Sequence, residues 1–487
     1  MIWIHFVSIK YTDAFLDEEV LMVTRNKKDE PITATTPTLN ADLLSRYEAL
    51  ARECAQIDPQ LYRKFNVKRG LRNEDGSGVL VGLTRVGSVH GYVVSENEIV
   101  PVQGEQLFRG INVQDLVHGF QKESRPGFEE TAYLLLFGRL PTRAELEEWC
   151  NVLDAKRALP YALLEKIIRE PSRDIMNSLA RSVLAAYTDD ETPDAVNIPS
   201  VLRQSIELVA RFSAMAAYAY QAKMHYYHGE SLFVRNPLPG KSTAENFLMM
   251  MREDAAYTPL EAELLDLCLV LHAEHGGGNN SAFTTHVVTS AATDTYAAIA
   301  AATLSLKGPR HGGANLRVCH QMDEIRDALS DWTDEGAIAD YLRKILRKEA
   351  GDGSGLIYGL GHAVYTLSDP RAQLLKEKAK ELAQSKDRME EFYLYDAIER
   401  LGPAIFNEGR EKQKELCANV DFYSGFVYDM LNIPMDLYTP LFAISRVVGW
   451  CAHRLEELVN GGPIVRPAFK AISGPTTIYS PLDQRNA

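Results

Sequence analysis

The chain has 487 residues, 46% of them apolar and 24% charged, and a formal net charge of −14. That balance is the composition of a folded protein, and the length allows two or three ordinary domains, or one large domain with a smaller partner. The charge excludes a nucleic-acid binder working through a general positive field, and it requires that any small anionic ligand be held by a few local cations.

In chain order, the apolar patch "MIWIHFVSI" is followed by Lys10 and Asp13. It lacks the n-region and h-region of a signal peptide, and residues 1–21, before a second Met, are expected to be a tail. "PITATTPTLN" reads as a loop before a helix at 40–56. From 79 to 108 the chain is Val-rich and broken by Gly, the pattern of a few short strands joined by turns. Everything after Phe128 reads as helix. "FEETAYLLLFG" stops at Gly138, and the next helix opens on Thr142 with Glu145 three residues later, a capping box. Helical windows follow at 173–187, 199–226, 242–254, 259–273, 293–306, 312–328, 335–349, 370–385, 389–401, 403–417, 422–431 and 436–460. Gly276 to Leu306 has Asp294 as its only formal charge and is dominated by small residues, which predicts a buried central layer. The fold class is mainly α. No window of about 20 apolar residues occurs, so no membrane span is expected. The six cysteines are widely separated, without a C-x-x-C, which argues against a disulfide framework and fits a cytoplasmic compartment.

Four segments carry candidate chemistry. In "LHAEHGGGNNSAF" (271–283), His272 and His275 lie one helical turn apart. A metal would need further ligands, Glu274 or His286, and H-x-x-H alone is a weak signal; the plainer reading is a helix end at which His272 caps carbonyls. In "LKGPRHGGAN" (306–315), Pro309 ends one helix and Gly312-Gly313 opens the next. His311 then sits at a helix N-terminus, where the dipole keeps an imidazole neutral, and bare glycines would let a bulky ligand approach. A plain glycine hinge competes with that reading. In "GLGHAVYTLSDPRA" (359–372), Asp369 caps a helix with Pro370 in its first turn, and Arg371 is a cation where an anion would bind; the competing reading is a surface arginine. In "NVDFYSGFVYDML" (419–431), Asp421 is either an N-cap or a base whose pKa is raised among aromatic side chains. Taken together, a base (Asp421), imidazoles (His275, His311, His362) and anion clamps (Arg371, Arg446, Arg466) suit proton removal next to a carbonyl, stabilisation of the enol, and attack on a second carbonyl in a polycarboxylate.

These segments, with "FRGINVQDLV", "FEETAYLLLFGRLPT" and "LFAISRVVGWCAHRLEEL", resemble the citrate synthase family in residues and in order, from about residue 80 to the C-terminus. The resemblance implies a mainly helical two-domain fold with a few short N-terminal strands: an N-terminal extension at 1–78, a large domain at 79–311 and 436–487, and a small domain at 312–435. It implies a homodimer that binds oxaloacetate and acyl-CoA, with no metal or cofactor, no nucleic acid and no membrane. Asp421 matches the base that takes a methyl proton from acetyl-CoA. His311 matches the neutral histidine on the thioester oxygen, and His362 the one that polarises the oxaloacetate carbonyl. His275, Arg371 and Arg446 match the other oxaloacetate contacts. Arg466, in "IVRPAF", matches an arginine supplied across the subunit interface. Hydrolysis of the condensed thioester then gives citrate and CoA.

Two positions depart from the family pattern. Gly276 follows His275 where the family has Glu, and Thr366 stands where Lys or Arg meets CoA phosphates. The competing readings are 2-methylcitrate synthase, using propionyl-CoA and sharing every catalytic position; a catalytically silent relative; and, in a different class, a metal-dependent hydrolase built on His272, His275 and His311. One methylene discriminates by only about 1–3 kcal/mol, so the acyl preference is not legible in the chain.

Overall fold

In the computed structural model, residues 40–73, 76–95, 98–362, 364–472 and 479–485 are described. The expected tail at 1–21 and most of the "PITATTPTLN" loop lie outside them. The chain divides after Val81 into two units. The first holds α1 (Ala41–Ala55), capped by the Asn40 side chain on the Leu43 N–H, and α2 (Pro59–Lys64), capped by Asp58. No residue of α1 is buried.

The second unit opens with an antiparallel hairpin, β1 (Gly87–Ser95) and β2 (Glu98–Phe108), whose register shifts between His90 and Tyr92. The short β3 (Ile111–Asn112) pairs back on β2. Helices follow: α3 (Val113–Lys122), α4 (Phe128–Phe137), α5 (Arg143–Arg157), α6 (Tyr161–Arg169), α7 (Ile175–Ala186), the long α8 (Ile198–Lys223), α9 (Thr243–Met251), α10 (Pro259–His272), α11 (Asn280–Thr289) and α12 (Thr295–Lys307). Then come α13 (Ala314–Ala328), α14 (Glu335–Leu346), α15 (Pro370–Ser385), α16 (Met389–Asn407), α17 (Val420–Met430) and α18 (Tyr438–Asn460). The fold is mainly α with few short strands, as the periodicity predicts.

Local chemistry sets the helix ends. Thr142 and Glu145 form the expected capping box on α5, and Gly138 closes α4 in the left-handed region at φ 80°. Asp294, the lone charge of the small-residue stretch, is the N-cap of α12. That stretch forms α11 and α12, packed on each other, with α12 also against α7. Small residues such as Ala298, Ala302 and Thr303 are buried, while Leu304 marks an exposed edge. Packed against α8, α11 and α12 is α18, whose Trp450, Arg446 and Arg454 are among the largest fully buried side chains.

One expectation fails. The windows 389–401 and 403–417 are a single helix, α16, which runs through Pro403 and ends at Asn407. Proline costs one intrahelical hydrogen bond there but does not stop the helix. Asn407 stops it: its side chain accepts from the Lys414 N–H at 2.9 Å and donates to the Lys414 carbonyl at 2.9 Å, closing a charged loop. The helices α2, α3, α6 and α11 are additions to the expected set. Among the described residues no helix is long and apolar enough to cross a membrane.

Candidate active site

Two segments far apart in sequence are stitched together beside α15 and α17. The Gly361 N–H donates to the Cys417 carbonyl at 2.8 Å, the Asn419 N–H donates to the Gly359 carbonyl at 2.9 Å, and Leu360 bridges Ala418. Gly359 has φ +82°, and a Cβ there would lie 2.6 Å from the Phe422 ring, so both the turn and the close packing need glycine. This zipper holds His362 next to the start of α17. The carboxylate of Asp369 then joins α15 to α17. Its Oδ1 accepts from the Arg371 N–H and Nε, each at 3.0 Å, and its Oδ2 accepts from Arg371 Nη2 at 2.8 Å and the Val420 N–H at 3.2 Å.

Asn419, not Asp421, caps α17: its side chain accepts from the Asp421 N–H. The Asp421 carboxylate is left without a hydrogen bond from any described residue. Burial, opposed by Arg371, raises its pKa to about 6. This desolvation is the effect expected from sequence.

The histidines follow from who must donate. His362 Nδ1 accepts the N–H groups of Val364 and Tyr365, each at 3.1 Å, so the ring's proton is on Nε2. Burial and Arg371 lower the His362 pKa to about 4. Arg371 can only donate, so His275 Nδ1, 3.2 Å from Arg371 Nη1, also accepts, and His275 likewise carries its proton on Nε2. The two rings meet edge to face with centroids 5.3 Å apart, and Tyr365 stacks on His362 at 5.0 Å. Burial and Arg371 hold His275 neutral as well. On α18, Arg446 donates through Nε to the His272 carbonyl and lies over the Phe442 ring. Its Nη1 is buried with no partner. Burial lowers the Arg446 pKa to about 10, which leaves a cation at neutral pH. A buried donor of this kind is costly unless something fills it.

His311 precedes the N-cap of α13, Gly313, by two residues. Its pKa is lowered to about 4, by burial first and by Arg446 second. The glycines beside it also have a different purpose from the one expected. A Cβ on Gly312 would sit 2.2 Å from the Leu306 carbonyl and one on Gly313 2.6 Å from the Pro309 carbonyl, so the chain's own turn occupies that space. His311 Nε2 lies 3.1 Å from Ser281 Oγ, which accepts from Trp450 Nε1 at 3.1 Å and donates to Asn279 Oδ1 at 2.8 Å. Turned from Asn279 to His311 Nε2, that hydroxyl proton would leave the imidazole's own proton on Nδ1.

Shared fields and contacts thus bring together His275, His362, Arg371, Asp421 and Arg446, with His311 coupled through Arg446. Arg466 is not among them. It lies exposed on the extended segment after α18, with no polar partner among the described residues of this chain. His272 does not cap carbonyls either. Its ring stacks on Phe442 at 4.0 Å and both nitrogens are unpartnered. Sequence reasoning missed Ser281, Trp450 and the pairing role of Asp369. Trp450 had a signal, since it is four residues from Arg446 on one helix face; Ser281 had none. A cavity of about 330 Å³ adjoins the site, lined by Leu360, His362, Phe406, Lys414 and Leu416 among others.

Comparisons with known proteins agree with one another. The family described as "Citrate synthase, C-terminal domain" matches residues 78–468. The citrate synthase of Synechocystis sp. is 33% identical over 410 residues, 84% of this chain and 93% of the relative. A 2-methylcitrate synthase of Shewanella oneidensis is 32% identical, covering 76% of this chain and 89% of its own length. The solved citrate synthase of Thermoplasma acidophilum, a ternary complex with carboxymethyl coenzyme A and oxaloacetate, superposes with a TM-score of 0.70 at 26% identity, over 86% of this chain and 99% of that one.

Proposed function

The chain belongs to the citrate synthase family, and from that premise we propose how its residues condense oxaloacetate with acetyl-CoA. One observation carries the reading: three free donors and a free carboxylate stand in one site. His275 Nε2–H, His362 Nε2–H and the unpartnered Nη1 of Arg446 are all donors, and the Asp421 carboxylate is free to accept. A dicarboxylate with a ketone oxygen supplies the matching acceptors, and the lone base has a methyl proton to remove.

Arg371 and Arg446 hold the carboxylates of oxaloacetate, with His275 beside them. Arg371 is pre-positioned by its bidentate pair with Asp369. His362 donates to the ketone oxygen and so polarises the carbon to be attacked. Asp421, ionised above about pH 6, takes a proton from the thioester methyl. His311, neutral at pH 7, donates to the thioester oxygen as the enol forms. The enol carbon attacks the polarised ketone, and water then cleaves the thioester to citrate and CoA. The acyl-CoA chain enters by the cavity beside His362, where Lys414 is the cation that faces CoA phosphates and so takes over the work expected of position 366.

The boundary between a large domain (79–311 with 436–487) and a small one (312–435) belongs to this proposal. So do the homodimer, with Arg466 reaching the partner's site, and a cytoplasmic location. The similarity to a 2-methylcitrate synthase supports propionyl-CoA as a second substrate. The deciding experiment is thiol release with oxaloacetate and either acetyl-CoA or propionyl-CoA. We expect release that needs oxaloacetate and is lost in Asp421→Asn. Folded protein that releases no thiol with either thioester would overturn the reading.

A further inference from the structure

Behind the site lies a histidine pair that the condensation does not use. His286 of α11 and His453 of α18 face each other, Nε2 to Nδ1, at 3.1 Å. Each ring is backed by a carboxylate on its far nitrogen. Glu457 Oε2 is 2.8 Å from His286 Nδ1, and Glu274 Oε1 is 3.0 Å from His453 Nε2. Glu456, one turn after His453, gives its Oε1 to the Arg85 N–H. Its Oε2 is buried without a hydrogen bond, 3.9 Å from His453 Nδ1, and the three inward atoms lie within 4.8 Å of one another.

We propose that His286 Nε2, His453 Nδ1 and Glu456 Oε2 bind a divalent transition-metal ion of the zinc class, which clamps α11 to α18. Three arguments support the site. Ligand atoms around a tetrahedral zinc lie about 3.3 Å apart, close to the spacing already present between the two rings. Carboxylates on the outer nitrogens are the usual second shell of metal-binding histidines, since they fix the tautomer that turns the free nitrogen inward. The third argument is proton counting. The row Glu457–His286–His453–Glu274 has three contacts, each needing one proton, but two neutral imidazoles carry only two. Without a metal the row must hold an extra proton. With one, the ion replaces the central proton, both imidazoles are neutral, and each outer carboxylate still receives an N–H. The His286 and Glu457 side chains are 15% and 25% exposed, which gives an ion a way in.

The site is distinct from the catalytic residues, yet its anchors flank them. His286 is on the helix of Ser281 and His453 on the helix of Trp450, and that serine and tryptophan are hydrogen-bonded to each other. A metal here would stiffen the support of His311. It departs from the expectation that the protein needs no metal, without entering the reaction.

The test uses full-length, tag-free protein stripped with chelator, then titrated with Zn²⁺ against a chromophoric competitor. We expect one ion per subunit, release of one proton per ion by calorimetry in two buffers, and a raised thermal midpoint. Cobalt substitution should give the visible bands of a four-coordinate site. Glu456→Gln, which keeps the side-chain shape, and His286→Asn should each weaken Zn²⁺ binding at least tenfold. Absence of stoichiometric binding to folded wild-type protein would overturn the proposal and leave a proton-sharing histidine pair. So would binding undiminished in both variants, since the ion would then sit elsewhere. If a variant fails to fold, the cobalt spectrum and stoichiometry of the wild type decide.

Discussion

Asp421 combines two properties that pull apart. It is a base poised near neutrality because it is largely withdrawn from water without hydrogen bonds, and the same partial burial makes its charge a burden on the fold. Its folded pKa, about 6, lies above the ordinary value of 3.8. Between those values the folded chain holds more protons than the unfolded one, so this group's contribution to stability falls as pH rises through that window. Asp421→Asn should therefore do two things at once. It should lower kcat by about 10²- to 10⁴-fold, and at pH 7.5 it should stabilise the protein by on the order of 1 kcal/mol, since the side chain is only partly shielded from water. Denaturant midpoints and thiol release on the same preparation check both, and a destabilised variant would contradict the burial argument. In the wild type, kcat/KM should fall with acid below about pH 6. At this scale the sequence was informative for a physical reason: a carboxylate among Phe and Tyr, and histidines next to glycine turns, are unusual enough to be noticed. Their tautomers were not legible, because they depend on backbone N–H groups at 364 and 365 and on an arginine 96 positions from His275.

The helix termini position the chemistry. Asn419 caps α17, which leaves the Asp421 carboxylate unspent, and Asp369 caps α15 while gripping Arg371 and the Val420 N–H. Asp369→Ala should cost about 3–5 kcal/mol, because it strands a buried guanidinium as well as losing a cap. Asp369→Asn keeps the cap and should fall between that variant and wild type in thermal midpoint. Both variants should raise the KM for oxaloacetate more than they lower kcat, since Arg371 binds rather than reacts. Ser281→Ala removes one hydroxyl under His311, and its effect should appear in kcat. Caps and capping boxes were readable one by one because they are local. The end of α16 was not, because Pro403 looked like a stronger signal than an asparagine that closes on a loop seven residues away.

For the molecule as a whole, burial of neutral imidazoles sets the acid limit. His311 and His362 titrate at about 4, and His272 and His275 are also pushed below the ordinary value of 6.5. Between about pH 6.5 and 4 the unfolded chain binds more protons, so these four groups lose stability as pH falls, while Asp421 and Asp266, whose carboxyl pKa values burial raises, act the other way. Urea midpoints should drop from pH 7 to pH 5, and replacing His362 by Gln should flatten the slope. If Arg466 acts on a partner's site, mixing inactive Arg466→Ala with inactive Asp421→Asn should restore roughly a quarter of wild-type activity through mixed dimers. No recovery after confirmed exchange would remove Arg466 from that role. The α class was visible in the sequence because helical periodicity is repeated along most of the chain. The stitching of 359–361 to 417–419 was not, since nothing local reports a pairing across 58 residues. The orientation of the site's imidazoles also bears on inhibitor design. With Nδ1 of His275 and of His362 already engaged, compounds that present hydroxyl or amine hydrogens to that wall would meet hydrogen against hydrogen. Compounds built from carboxylates, ketones and ethers would find every position already matched, and selection from a chemical library should favour them on that ground alone.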